Sequence, residues 1–261
     1  MRYIIFSFDD GRLDTYVNAI PIMKKYNIRG TLNIVSDFIL NEKKYQCFGS
    51  SDNRSMSVSN ILECQKEGIE IALHGATHQN TVEDIRQNIE DFQKMGVEVR
   101  EVGFASPFSE LTEENFDQIY RLVQDGEILY IRSGTQIRRK GIWFIFLSAL
   151  NRIFPSRTLF YYLNKDNIIS CSGNPSKFLK GVSITKDTTV KEISYFVNKL
   201  QDMQAAILIF HSILKKSDKG YNKDNWFWNI DRFEKLCRTF NGMENIQIIT
   251  TKQLYKKSLK E

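Results

Sequence analysis

The 261-residue sequence is short of proline (4), cysteine (4) and histidine (3), and it has no long apolar run. No proline- or glycine-rich linker, internal repeat or low-complexity tract divides it, so one domain over residues 1–261 is expected. Cys47, Cys64, Cys171 and Cys237 are scattered without a C-x-x-C pair, which reads as reduced packing thiols in a reducing compartment. No stretch approaches the roughly 18 apolar residues of a membrane span. The apolar start, MRYIIFSFDD, is too short for a signal peptide and runs straight into two acids. A soluble, cytoplasmic chain is therefore expected, with room for peripheral attachment at the inner face of the membrane. Acidic residues are missing altogether from 128 to 165, where Arg132, Arg138, Arg139, Lys140, Arg152, Arg157 and Lys165 supply seven positive charges. The net charge is +5, so the rest of the chain nets −2, which argues against a protein that coats nucleic acid.

What is present is ordinary for a globular protein: 42% apolar and 26% charged residues, enough to bury a substantial core. Short β-rich runs at 3–8, 30–35, 69–73, 99–105, 128–131, 181–184, 206–210 and 246–250 read as strands. Several are almost continuously apolar, as parallel strands buried on both faces are. Between them, 15–26, 57–67, 82–95, 112–124, 189–203 and 231–240 have helical spacing, with good starts at Ser57, Thr112 and Thr189. Regular strand–helix alternation predicts an α/β fold with a parallel sheet or barrel, for which about 250 residues is an ordinary length. The stretch 138–167 breaks that rhythm and looks inserted.

Two of the three histidines, His74 and His78, form H-x-x-x-H behind the apolar run IEIAL. Composition alone would produce such a pair about one time in forty. Imidazoles at this spacing suit zinc and similar ions, and two of them usually need a carboxylate to complete the set. Asp9 and Asp10 follow the apolar run YIIFSF and precede Gly11. Adjacent carboxylates repel unless a cation or hydrogen bonds relieve them, although D-D-G is also good chemistry for a solvated turn. His211 ends the run AAILIF, and Pro107 follows VGFAS. Each polar point thus falls at the C-terminal end of a predicted strand, and in a parallel barrel those ends meet on the face where active sites are built.

The ordered set SFDDG, HGATH, FASPF and LIFH, with the flanking RGTLNIVSDFI and EGIEIALHGATH, resembles the motifs of the polysaccharide deacetylases, the carbohydrate esterase family 4 or NodB-homology group. The resemblance runs from residue 3 to about 240 and is weakest between 138 and 180. It implies a distorted (β/α)7-type barrel with one divalent metal ion, zinc first and cobalt or nickel as substitutes, on Asp10, His74 and His78. It further implies Asp9 as the general base that activates water, His211 as the general acid for the leaving amine, and the backbone N–H of Phe108 as an oxyanion donor. Pro107 would shape the substrate loop. Two positions depart from the pattern. Ala105 stands where many members carry an Arg that orients the catalytic Asp, and Ser109 stands where Gly is frequent. Arg132, in LYIRSG at another strand end, is the candidate substitute, or else a partner of substrate charge or of a surface acid.

Within the insertion, 141–163 mixes Trp143, Phe144, Phe146, Phe154, Phe160, Tyr161 and Tyr162 with Arg152 and Arg157. This is the composition of an interfacial element that touches an anionic membrane or a lipid-linked sugar, and equally of a helical insertion packed on the barrel. Trp226 and Trp228 either stack on a pyranose ring or pack against the last helix. The function expected is metal-dependent removal of an N-acetyl or similar small N-acyl group from a sugar or glycan intermediate of cell-surface polysaccharide metabolism. The rivals are hydrolysis of a non-sugar amide on the same fold and a non-catalytic module that binds glycan or membrane. No nucleic-acid partner is expected.

Overall fold

The structure is a computed structural model that describes residues 1–41, 54–134, 141–172, 177–223 and 225–259. Cys47, Arg138, Arg139 and Lys140 lie outside the described residues. Its strands are β1 (Arg2–Phe8), β2 (Thr31–Ile34), β3 (Glu70–Leu73), β4 (Phe104–Ala105), β5 (Ile131–Gly134) and β6 (Ile169–Ser170). After them come β7 (Leu179–Ser183), β8 (Gln204–Phe210), β9 (Ser212–Leu214), β10 (Phe227–Asn229) and β11 (Ile246–Ile248). The helices are α1 (Ile20–Lys25), α2 (Ser36–Leu40), α3 (Val58–Lys66), α4 (Val82–Met95) and α5 (Glu113–Gln124). The second half adds α6 (Ile142–Ile153), α7 (Arg157–Asn164), α8 (Val190–Asn198), α9 (Ile230–Asn241) and α10 (Thr251–Ser258).

Strands β1, β2, β3, β4, β5, β7 and β8 are parallel neighbours in that order, and β8 pairs back onto β1, so seven strands close a barrel within a ring of helices. The seam is long, running from Tyr3 opposite Ala205 to Phe8 opposite Phe210. On the other edge of β1, β2 pairs with Ser7 and Phe8 while β11 pairs with Arg2 to Ile4, which gives the barrel its distortion. The period of two along β1 sorts its side chains. Ile4, Phe6 and Phe8 pack outward with Phe210, Phe233 and Phe240 under the helices, whereas Tyr3 and Ile5 join Ile207, Ile209 and Leu179 in a second cluster. Ser57, Thr112 and Thr189 cap their helices as their sequence positions predict.

The predicted strand over 99–105 shrinks to two residues because the chain turns at Glu101 (φ 55). At the N-terminal end of the barrel, the buried Glu70 accepts hydrogen bonds from Thr31 Oγ1 (2.9 Å), Tyr130 OH (2.7 Å) and the Lys252 backbone N–H (2.8 Å). Burial pushes its carboxyl above the usual range in spite of these donors. The described cysteines, Cys64, Cys171 and Cys237, are all buried, and burial pushes the Cys64 thiol up to about 12, which is the behaviour of packing thiols rather than reactive ones. Among the described residues no helix is long and apolar enough to cross a membrane.

Candidate active site

Four strand ends deliver the polar residues to one place. Asp9 follows β1, and its backbone N–H donates to Phe210 O (2.9 Å), so β1 and β8 stay registered up to the point where Asp9 and His211 begin. The chain then turns through left-handed backbone at Asp10 (φ 80) and Gly11 (φ 70), and both carboxylates end near the same imidazole. Asp10 Oδ1 lies 3.5 Å from His74 Nε2 and 3.6 Å from His78 Nε2, and Asp9 Oδ2 lies 3.9 Å from His74 Nε2. The two Nε2 atoms are 3.3 Å apart. Asp10, His74 and His78 offer one ligand atom each within 4.8 Å of one another, the spacing a metal ion needs.

Several surrounding groups fix this geometry. His74 Nδ1 is 2.8 Å from Ala105 O, a carbonyl that can only accept, so Nδ1 carries a hydrogen and Nε2 is the atom that faces the cluster. The loop to His78 is folded around Asp84, which accepts from the backbone N–H and hydroxyl of Thr77 (2.9 and 2.7 Å) and from the N–H of Gln79 (3.0 Å). Gly75 is obligatory there: φ is 79°, and a Cβ would sit 2.4 Å from Asp84 Oδ2. His78 itself is held at φ 66, and strained backbone of this kind clusters at functional sites. Asp84→Ala is expected to cost about 2–4 kcal/mol of stability, since it strands three loop donors. It should also weaken divalent-metal affinity roughly ten- to a hundredfold. Denaturation curves and a metal titration read the two effects separately.

Asp9 and Asp10 are both held below the usual carboxylate range. Burial opposes ionisation, but Arg132 beside Asp9 and His74 beside Asp10 outweigh it. Arg132, 1% exposed, donates from Nη2 to Asp9 Oδ1, and Asn33 Nδ2 donates to the same oxygen (2.7 Å). The register places Arg132 directly opposite Ala105 on the neighbouring strand, so the guanidinium occupies the position next to the one the motif leaves empty. Burial, with His74 adding to it, pushes the His78 imidazole down to about 4. Burial also lowers His211, against the pull of Asp10 and Asp9, and the His211 ring lies against Trp226 with centroids 4.8 Å apart.

Phe108 and Ser109 both have positive φ (53 and 56), which accounts for a preference for Gly at the second of these places. Ser109 is accommodated because β5 has Gly134 opposite, where a Cβ would meet Ser109 Oγ at 2.2 Å. Ser133 Oγ also donates to Ser109 O (3.3 Å). The Phe108 ring is half exposed and lies 4.4 Å from the His78 ring, and Pro107 O accepts from Asn80 Nδ2 (3.0 Å).

Trp228 does not reach the site. It is 1% exposed, packs on Phe210 and donates its indole N–H to Thr188 O (2.8 Å), so its place is the core. Asn33, Asp84 and Arg12 were missed in the sequence. Arg12 is buried between Asp10 Oδ2 (3.7 Å) and Asp14 Oδ2 (3.6 Å). The available signals were a lone amide in the apolar run TLNIV and a basic residue directly after D-D-G.

Residues 1–123 match the family model described as polysaccharide deacetylase. No curated protein matches the sequence. Among solved structures, the Xyl-CE4 domain of a multidomain xylanase from the hindgut metagenome of Trinervitermes trinervoides is similar, with 16% identity over 98% of this chain and 90% of that one and a TM-score of 0.50. A family 4 acetyl xylan esterase from Clostridium thermocellum, in complex with a cobalt ion, has 14% identity over 97% and 90% with a TM-score of 0.51. The peptidoglycan deacetylase PdaC from Bacillus subtilis has 13% identity over 98% and 91% with a TM-score of 0.50. These structural likenesses extend the same barrel over the whole chain, and the match to the polysaccharide deacetylase family model covers its first 123 residues.

Proposed function

We propose that this chain is a metal-dependent hydrolase that removes an N-acetyl or similar small N-acyl group from a sugar or glycan intermediate. The observation that carries the reading is Asp10, whose two buried oxygens accept no hydrogen bond from any described group while two imidazole Nε2 atoms converge on one of them. The Arg12 guanidinium lies 3.7 Å from Oδ2, whereas Oδ1 faces only the two imidazoles, and a cation among those three atoms would complete the set. One carboxylate with two imidazoles suits zinc, and cobalt or nickel as substitutes. Bound there, a divalent ion supplies Lewis-acid polarisation of the acyl carbonyl and acidifies water.

The residues around it do the rest. Asp9, kept ionised by Arg132 and Asn33, takes a proton from the attacking water. Arg132 is a positioning residue, since it acts through Asp9. His211 protonates the departing amine, and the backbone N–H of Phe108 donates to the developing oxyanion. Trp226, lying on His211 and partly exposed, offers a surface for a pyranose ring. We place the reaction in the reducing interior of the cell, which the scattered cysteines and three buried thiols support.

The test is acetate release, with added zinc, from N-acetylated amino sugars, O-acetylated xylan and purine-derived amides. Release from the amino sugars, abolished by a chelator and restored by metal, is the expected result. Preference for the ester or the purine amide would move the activity to another substrate class. Metal binding with no release from any substrate would identify a binding module instead.

A further inference from the structure

Helix α6 carries an apolar face turned to the outside. Ile142, Trp143, Phe146, Leu150 and Ile153 face outward, with Phe154 just beyond the helix, and exposure reaches 80% at Ile142 and 75% at Trp143. No residue of α6 is buried. The side turned to the body is mixed: Phe144 stacks on Tyr162 and Leu147 is half-buried, while Asn151 donates to Glu192 Oε1 (2.8 Å) and Ser148 lines a cleft with Thr185 and Thr188. Surface helices of globular proteins turn the apolar stripe inward, and a contiguous outward patch of this kind marks a surface that something covers.

The charges around the patch say what covers it. Arg152, Arg157 and Lys165 are exposed at its rim, and residues 128–165 contain no acid. The Arg157 guanidinium lies 6.0 Å from the Tyr195 ring centroid, and Lys165 Nζ lies 5.1 Å from that of the half-exposed Tyr162. Aliphatic side chains at the centre, aromatic rings among them and cations at the edge match the layers of a lipid headgroup boundary. A second copy of this chain would bring the same cations face to face, because a two-fold contact repeats one patch on both sides.

We propose that α6 and the turn after it dock in the headgroup layer of an anionic bilayer. Twelve residues of helix span about 18 Å, so α6 lies in the surface and does not cross it. Its inward side meets the segment that follows β7, at the same end of the barrel as Asp9 and His211. The inference goes beyond the hydrolase reading and stands or falls without it.

The test uses the full chain and vesicles of phosphatidylcholine with or without about 30% phosphatidylglycerol. Co-sedimentation with the anionic vesicles and a blue shift of Trp143 emission that Trp143→Phe removes are expected. Trp143→Ser with Ile153→Ser should weaken binding at least about tenfold. Arg152→Gln, Arg157→Gln and Lys165→Gln together should cost on the order of a hundredfold on anionic vesicles. All five side chains are exposed, so cooperative thermal unfolding near the parent temperature serves as the folding control. Equal binding by parent and apolar variant, or no binding to either vesicle, overturns the proposal. So does a concentration-dependent dimer that the Trp143 and Ile153 changes abolish, which would assign the patch to a second copy.

Discussion

Asp9→Asn is expected to lower kcat for acetate release by about 10²–10⁴-fold, the ordinary contribution of a positioned general base. Metal content and KM should stay close to those of the parent. The reason is geometric: Asp9 Oδ1 already takes its hydrogen bonds from Arg132 and Asn33, and an amide oxygen can accept both, so the substitution removes the proton acceptor and the charge paired with Arg132 while keeping the geometry. His74→Ala contrasts with it, since loss of an imidazole at the centre of the cluster should remove metal and activity together. Activity of Asp9→Asn within threefold of the parent, at equal metal content, would exclude Asp9 as the base.

The second large effect belongs to Arg132→Ala. Removing a buried partner leaves a buried carboxylate uncompensated, and such losses run to about 3–5 kcal/mol. The change also shifts a pH dependence. In the parent, Asp9 is held below its unfolded value, so its contribution to stability is present above the unfolded carboxylate pKa and is lost as pH falls through the folded one. Without the guanidinium the Asp9 pKa rises, so that contribution shrinks and its loss begins at a higher pH. Denaturation at several pH values reads this shift directly. The acid limb of the activity profile should move upward in the same variant, which a purely structural loss would not produce. Ala105→Arg in the Arg132→Ala background should recover part of both effects, because positions 105 and 132 are opposite one another on adjacent strands. Arg132→Ala with unchanged stability and an unmoved acid limb would remove Arg132 from the account.

The main lines of this site are legible in the sequence because a parallel barrel converts strand ends into neighbours. Asp9, His74 and His211 each close an apolar run, and it is the closure of β8 on β1 that brings the first and last of them together. Arg132 is legible through a vacancy, since a motif place filled by Ala105 asks for a guanidinium from elsewhere. Asn33, Asp84 and Arg12 are not legible in the same way. Each serves partners defined by a turn or a neighbouring strand, and no run of residues announces that an amide in β2 will reach Asp9. Trp226 and Trp228 share one short sequence and have opposite fates, decided by Thr188 O, which lies 40 residues from Trp228 and takes its N–H. The basic, aromatic composition of 141–163 is plain in the sequence, but the direction α6 faces is not. Apolar residues at helical spacing look alike whether a core or the solvent lies on that side, and the polar anchor that decides it, Asn151 to Glu192, spans 41 residues.

Strand β5 has a last consequence for how this site can be altered. It carries the guanidinium that steadies the base and, two residues later, the glycine against which Ser109 and the Phe108 loop are seated. The proposed base and the proposed oxyanion donor thus share one rigid mounting, and a displacement of that strand is transmitted to both. Redesign of the substrate loop for a bulkier acyl group cannot leave the base untouched, nor can a new partner for Asp9 leave the loop where it was. Kinetic changes from substitutions in 131–134 will therefore combine two effects that the chemistry would treat as separate.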